Sequence, residues 1–306
     1  MEMTMCNSRW AALFLALLFS TQAAIADTVT IETARGPAEA PKKPEKVAVF
    51  DIAALDTLHA LGVKIAATPQ PVYVDYLEDV GRNTEKVGSL FEPDFETIHA
   101  LGLDLIVAGG RSSSQYDALS ELVPTIDMTI WGDGLLDQAK ARLNAYGKLF
   151  GKEEKAGELE TELDAAVEAL KDQTEHAGTA LVVLTNGPKI SVYGKGSRFG
   201  WLHTELGLQP AVKEVKASTH GEAVSFEFIR ERNPDWLFVI DRAAAIGQDS
   251  KLAKETLDNK LVAETTAWKK GQVIYLDAAS IYIAAGGYQS LMNTLGEISS
   301  ALAKAE

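Results

Sequence analysis

The chain has 306 residues, with 43 acidic against 29 basic side chains and a net charge of −14. That balance argues against nucleic acid and anionic membrane surfaces as partners, since both attract a basic face. The length is enough to bury a large core without covalent staples and suggests two domains.

In chain order, residues 1–26 carry Arg9, an apolar run from Trp10 to Phe19, and then Thr21-Gln22-Ala23-Ala24-Ile25-Ala26. A run of about ten apolar residues is too short to span a bilayer, which needs roughly 20. Ala24 and Ala26 form the A-x-A pattern of an export signal, so the mature chain is expected to begin at Asp27, in the periplasm. The single cysteine, Cys6, falls inside this segment and follows no lipobox. The mature chain is therefore expected to have no lipid anchor, disulfide, thiolate metal site or cysteine nucleophile.

Residues 27–45 read as a polar, proline-rich lead-in. From 46 to 150, β and α patterns alternate. Val47 to Phe50 reads as a buried strand, Ala53 to Leu61 as a helix stopped by Gly62, Phe95 to Leu101 as a helix, and Leu105 to Ala108 as a strand. Such alternation with short turns points to a parallel α/β sheet, although short apolar runs do not by themselves exclude buried helix. From Leu135 to Lys171 the pattern is helical, with Gly147, Gly151 and Gly157 as weak points. Ala156, Leu159, Leu163, Ala166, Val167 and Leu170 recur at i, i+3, i+4 spacing in its second half. A helix over 151–173 joining two lobes is expected, with a helical hairpin inside one domain as the alternative. Strand patterns resume over 174–306, a second α/β lobe closed by a helix from Gln289 to Lys304.

One internal repeat stands out. Phe95-Glu96 is followed by Asp104 and Arg111, and Phe226-Glu227 by Asp235 and Arg242, with eight residues from Glu to Asp and seven from Asp to Arg in both copies. Each copy places a short helix before a strand and an arginine just past the strand's carboxyl end, where open α/β sheets line their ligand crevice. Arg111 and Arg242 are thus expected to face each other across a cleft. Glu96 and Glu227 would form a matched acidic pair; spacing does not say whether they lie clear of the ligand.

Gly194-Lys195-Gly196-Ser197-Arg198-Phe199-Gly200 misses the dinucleotide pattern G-x-G-x-x-G by one residue, and no P-loop, G-x-S-x-G or H-E-x-x-H occurs. A nucleotide-dependent enzyme is accordingly the weaker reading. The stretch reads better as a turn that presents Arg198 near a helix N-terminus, where anions are favoured. His59, His99 and His203 lie in helical patterns and His176 in a polar stretch, whereas His220 sits in the loop Ser218-Thr219-His220-Gly221. Tyr282 follows the strand ending at Tyr275. Imidazole and phenolate both ligate a ferric ion, and a bound metal deprotonates the phenol.

These residues make the chain similar to the periplasmic ferric-siderophore-binding proteins of ABC importers, particularly the catecholate (enterochelin-type) branch. The resemblance runs from about Lys46 to Lys304. It rests on Gly110-Arg111, Tyr193-Gly194 through Ser197-Arg198-Phe199-Gly200, Thr219-His220-Gly221, Val239-Ile240-Asp241-Arg242, and Tyr275-Leu276-Asp277 leading to Tyr282. It implies two α/β lobes with central, mostly parallel sheets joined by one long rigid helix, as in class III periplasmic binding proteins. It further implies an arginine pocket of Arg111, Arg198 and Arg242, with His220 and Tyr282 completing the iron coordination. Glu96 and Glu227 would dock onto an inner-membrane permease, with Glu92 a competitor for the first position. No intrinsic cofactor and a monomer are implied, the Fe(III)-siderophore being cargo; hydroxamate, citrate, haem and cobalamin carriers are the neighbouring alternatives. Ala278-Ala279-Ser280-Ile281 departs from the more aromatic catecholate pattern and bears on which chelate is bound.

Overall fold

The structure, a computed structural model, describes residues 27–215, 220–248 and 252–305. The expected export signal, Cys6 with it, and Ser218-Thr219 of the His220 loop lie outside those residues.

Five parallel strands form the first sheet, in the order Glu85–Lys86, Ala67–Thr68, Val47–Val49, Leu105–Ala108 and Thr125–Asp127. Val47–Val49 and Leu105–Ala108 are buried at every residue. Helices cover both faces of such a sheet, which is why these strands read as continuous apolar runs. The second sheet runs Glu222–Val224, Lys189–Tyr193, Thr179–Asn186, Trp236–Asp241 and Val273–Tyr275, with Gln209–Pro210 beside the start of Thr179–Asn186. Only Lys189–Tyr193 runs against the others. The molecule is thus two α/β lobes with mostly parallel sheets.

The lead-in is more ordered than its prolines suggest. Thr28–Thr33 and Gly36–Pro41 form an antiparallel hairpin, where Pro37 and Pro41 sit on a two-stranded ribbon and need not donate to a second neighbour.

The internal repeat has a structural cause. Asp94 caps Phe95–Leu101 by accepting from Thr97 N at 3.0 Å, and Ser225 caps Phe226–Arg232 by accepting from Phe228 N at 3.4 Å. Both helices end in a left-handed residue, Gly102 and Asn233. Asp104 then accepts from Glu45 N at 2.9 Å and Lys46 N at 2.8 Å, and Asp235 from Thr179 N at 2.8 Å and Thr179 Oγ1 at 2.9 Å. In each lobe the aspartate ties the helix–strand connection to the start of the neighbouring strand.

Between the lobes, Leu135–Phe150 ends at Gly151 (φ 65) and Glu153–Thr174 follows, 22 residues or about 33 Å long. Gly147 and Gly157 stay helical; only Gly151 breaks the pattern. The hairpin and the joining helix are therefore both present, the second arm of the hairpin being the rod. Its buried stripe of Ala156, Leu159, Leu163, Val167 and Leu170 packs on Leu135–Phe150 and on the C-terminal helix Tyr288–Ala305.

Two carboxylates clasp the lobes reciprocally. Glu205, from the second lobe, accepts from Leu135 N at 2.9 Å and Leu136 N at 2.8 Å, capping a helix whose own N-cap, Gly134, offers no side chain. Asp56, on helix Ile52–Ala60 of the first lobe, accepts from Gln289 N at 2.7 Å and Ser290 N at 2.8 Å, capping the C-terminal helix, and from the Tyr76 hydroxyl at 2.5 Å. Burial pushes the Asp56 carboxyl up to about 7, against the pull of those three donors.

Between the unfolded value of about 3.9 and the folded value of about 7, the folded chain keeps a proton that the unfolded chain has released. The stability linked to this group is complete below about pH 4 and is lost as pH rises through about 7. Asp56→Asn is expected to flatten the fall in urea-unfolding free energy across that window, by up to about 4 kcal/mol. An unchanged slope in the variant would refute the assignment.

Candidate functional site

A cleft between the lobes encloses about 570 Å³ and is lined by Arg111, Arg198, His220 and Tyr282, together with residues from 129 to 135 of the first lobe. Four of the five pocket residues expected from the sequence thus share one cavity. Arg242 does not line it. Its Nε donates to the Tyr282 hydroxyl at 3.3 Å and its Nη1 to Asn186 Oδ1 at 3.5 Å, so it stands behind the tyrosine.

Each arginine is placed by a distinct local device. Arg111 lies in the turn Gly110–Gln115, directly after Leu105–Ala108. Its Nη2 donates to Tyr282 O at 3.0 Å and its Nη1 to Ile283 O at 3.3 Å, bonds that cross from one lobe to the other. Arg198 is delivered by a tight turn in which Ser197 Oγ donates to Gly194 O at 2.6 Å. Gly200 is required there, because a Cβ would stand 2.0 Å from Lys195 O. Arg198 also donates to Tyr282 O, and its guanidinium carbon lies 4.0 Å from the centre of the Tyr282 ring. The helix expected after this turn is one turn long, Trp201–Thr204, and the amides of Leu202 and His203 bond back to Phe199 O and Gly200 O. It offers no anion site of its own, and Arg198 acts through its side chain.

Tyr282 is the common target. It ends the short helix Ala278–Tyr282, capped by Asp277, which accepts from Ser280 N at 2.6 Å. Beneath it Phe199 lies 6.4 Å away by ring centroids and stacks edge-on with Tyr193 at 4.7 Å. Burial acts to raise the Tyr282 pKa, but the hydrogen bond from Arg242 and the positive charges of Arg198, Arg242 and Arg111 outweigh it, leaving the phenol below its ordinary value. The site therefore eases ionisation of this phenol, and the phenolate is the form that binds a hard trivalent cation.

His220 is exposed on the turn before Glu222–Val224. The loop passes so close to Tyr193 that a Cβ on Gly221, whose φ is +71, would meet that ring at 2.8 Å. Glu96 and Glu227 are exposed in the first turns of Phe95–Leu101 and Phe226–Arg232, outside the cavity lining. Glu92 is exposed three residues before Phe95–Leu101.

Sequence reasoning missed Asp51, Thr129, Trp131 and Asp133 on the cavity wall. Asp51 and Thr129 sit just past Val47–Val49 and Thr125–Asp127, so the strand-end rule that singled out Arg111 would have found them.

Two α/β lobes joined by a long helix, with a side-chain-lined cleft between them, make the architecture of a solute-binding protein. The chain matches the family model described as periplasmic binding protein over residues 47–279, and it belongs to that family. It is 38% identical over 281 residues to the petrobactin-binding protein YclQ of Bacillus subtilis, covering 90% of this chain and 88% of that one. The crystal structure of YclQ superposes with a TM-score of 0.84 at 36% identity, over 90% of this chain and 99% of that chain. The periplasmic catecholate-siderophore binding protein VctP from Vibrio cholerae does so with a TM-score of 0.82 at 33% identity, over 90% and 100%. The family is one of solute-binding proteins rather than enzymes.

The shifted phenol can be measured directly. Ultraviolet titration of the wild type is expected to show one tyrosine ionising below the others, absent in Tyr282→Phe and moved upward in Arg242→Gln. An early-ionising tyrosine that survives Tyr282→Phe would remove the three-arginine account.

Proposed function

We propose that this chain is the periplasmic component of an ABC importer that captures a ferric siderophore, of catecholate type, and delivers it to the inner-membrane permease. The observation that carries the reading is the convergence of Arg111, Arg198 and Arg242 on Tyr282 at one cleft. Such a site wants an anion rich in oxygen acceptors, each charge-assisted hydrogen bond being worth about 1.5–3 kcal/mol. Among the described residues no group of three or more His, Cys, Asp or Glu could hold a bare ion, which favours iron that arrives with its own ligands. The petrobactin and catecholate relatives point the same way.

Iron(III) held by three catecholates carries a net charge of about −3, and held by two about −1 with two coordination sites open. Arg111 and Arg198, which line the cavity, answer the first, with Arg242 adding its charge from behind Tyr282. Tyr282 as phenolate and His220 as neutral imidazole would fill the open sites of the second. The exposed Glu96 and Glu227 lie away from the cavity and serve to dock basic residues of the permease. The protein acts as a monomer, exported by a signal cleaved after Ala26.

Titration with a ferric tetradentate bis-catecholate is expected to shift its visible charge-transfer band. His220→Ala and Tyr282→Phe should remove that shift while hexadentate ferric catecholates stay bound. Arg198→Ala should weaken both by about tenfold or more. An unshifted band in the wild type would refute metal ligation, and unchanged affinity in Arg198→Ala would refute the anion pocket. Charge reversal at Glu96 and Glu227 should impair uptake and leave binding intact; loss of binding would overturn the docking role.

A further inference from the structure

We propose that Tyr193 is a positioning residue for metal ligation: its buried ring is the common support that fixes where His220 and Tyr282 stand in the cleft. The inference rests on the proposed function and deepens it, since it says what holds in place the two side chains read there as iron ligands.

Neither ligand-bearing element is long enough to fix itself. Tyr282 ends a helix of five residues, Ala278–Tyr282. His220 stands two residues before a strand of three, Glu222–Val224, which lies at the edge of its sheet and pairs only with Lys189–Tyr193. Two ligands from separate short elements would have to be ordered when the ion arrives, at a cost to affinity, unless something already orders them.

What the two elements share is one aromatic ring. Tyr193 is the last residue of Lys189–Tyr193 and is 3% exposed. The backbone at Gly221 lies against it, so that a Cβ there would stand 2.8 Å from ring atoms Cε2 and Cζ and 2.8 Å from Val192 O. With its φ of +71, Gly221 serves both the left-handed turn and the close approach. Phe199, itself fully buried, meets the same Tyr193 ring edge-on at 4.7 Å between centroids, an arrangement aromatic rings prefer. Phe199 in turn lies 6.4 Å from the Tyr282 ring. Gly221, Tyr193, Phe199 and Tyr282 thus form one line of contacts. A cavity-lining candidate ligand stands at each end, His220 next to Gly221 and Tyr282 itself.

The line is anchored to the fold rather than to cargo. Tyr193 pairs with Val182 of Thr179–Asn186, and Phe199 is held by the turn that Ser197 closes on Gly194 O. Tyr193 stands outside the described cavity lining, so its effect on the metal is exerted through the residues it supports. Residues that orient metal ligands in this way are worth roughly 10- to 100-fold in metal affinity. A chelate that saturates its own iron draws nothing from this support, whereas one that leaves sites open depends on it.

The test compares a ferric tetradentate bis-catecholate with a ferric hexadentate tris-catecholate, titrated into the full mature chain by fluorescence and visible absorbance. Tyr193→Leu, which removes the ring, is expected to weaken the tetradentate chelate about tenfold and to return its charge-transfer band toward that of the free chelate, with hexadentate affinity unchanged. Tyr193→Phe, which keeps the ring, should behave as wild type. Gly221→Ala, on a half-buried turn, should reproduce Tyr193→Leu without opening a cavity in the core. In a chain already carrying His220→Ala and Tyr282→Phe, adding Tyr193→Leu should cost no further affinity. Equal weakening of both chelates, a full band shift in Tyr193→Leu, or a Tyr193→Phe that fails like Tyr193→Leu would each overturn the proposal. Should Tyr193→Leu not fold, Gly221→Ala decides, and an unaltered band there overturns it. If the wild type shows no band shift with the tetradentate chelate, metal ligation by these side chains fails, and this inference fails with it.

Discussion

Everything at the cleft depends on two carboxylates that cap helices belonging to the opposite lobe. Glu205 closes the N-terminus of Leu135–Phe150, and Asp56 closes that of Tyr288–Ala305. Each satisfies backbone amides that would otherwise have no partner at the positive end of a helix dipole. Both caps tie together segments far apart in the chain, so moving those segments relative to one another would break them. The rod Glu153–Thr174 adds a stiff spacer packed on both capped helices. Large hinge motion is thereby costly, and the geometry of the pocket is set before cargo arrives, which lowers the ordering cost of binding.

That rigidity is what allows three guanidinium groups to share so small a space. Arg198 is desolvated and stands near Arg111, and both effects disfavour its charged form. The chain offsets this with acceptors of its own: the Tyr282 carbonyl receives Arg111 and Arg198, the Ile283 carbonyl receives Arg111, and the Tyr282 hydroxyl receives Arg242. A chelate offering charged oxygens competes with neutral carbonyls for the same donors, and charged acceptors win by roughly a factor of two in bond strength. The net charge of −14 does not oppose this. Beyond about 8 Å in physiological salt the surface acids are screened, so the local field of the arginines decides.

The sequence carried the cleft's positive half because that half is built from a repeated unit. Helix, left-handed stop, aspartate, strand and arginine recur in register, and the aspartates proved to be backbone ties rather than functional groups. The mostly parallel direction of the strands followed from alternation and apolar runs; their order, and the antiparallel run of Lys189–Tyr193, did not. What stayed hidden depends on contacts far apart in sequence. Glu205 meets Leu135 across 70 positions and Asp56 meets Gln289 across 233, and no local pattern encodes either. The hairpin of the lead-in was masked by its prolines. Asp51 was legible in principle, since it sits just past the strand Val47–Val49.

The departure from symmetry is as informative as the repeat. Arg111 and Arg242 are equivalent by register, yet the first lines the cavity and the second lies behind Tyr282. On the second lobe Tyr282 lines the cavity, and its hydroxyl accepts from Arg242 Nε behind it. The repeat supplies matched positive charge on both sides, and Tyr282 converts one side into an oxygen donor. Arg242 then polarises the Tyr282 hydroxyl directly, while Arg111 and Arg198 hold its backbone and flank its ring. A symmetric pair of arginines could bind an anion but could not complete the coordination of a metal. In the proposed function, breaking the pseudo-two-fold at this one place is what would let a single cleft attract a charged chelate and also touch the ion inside it.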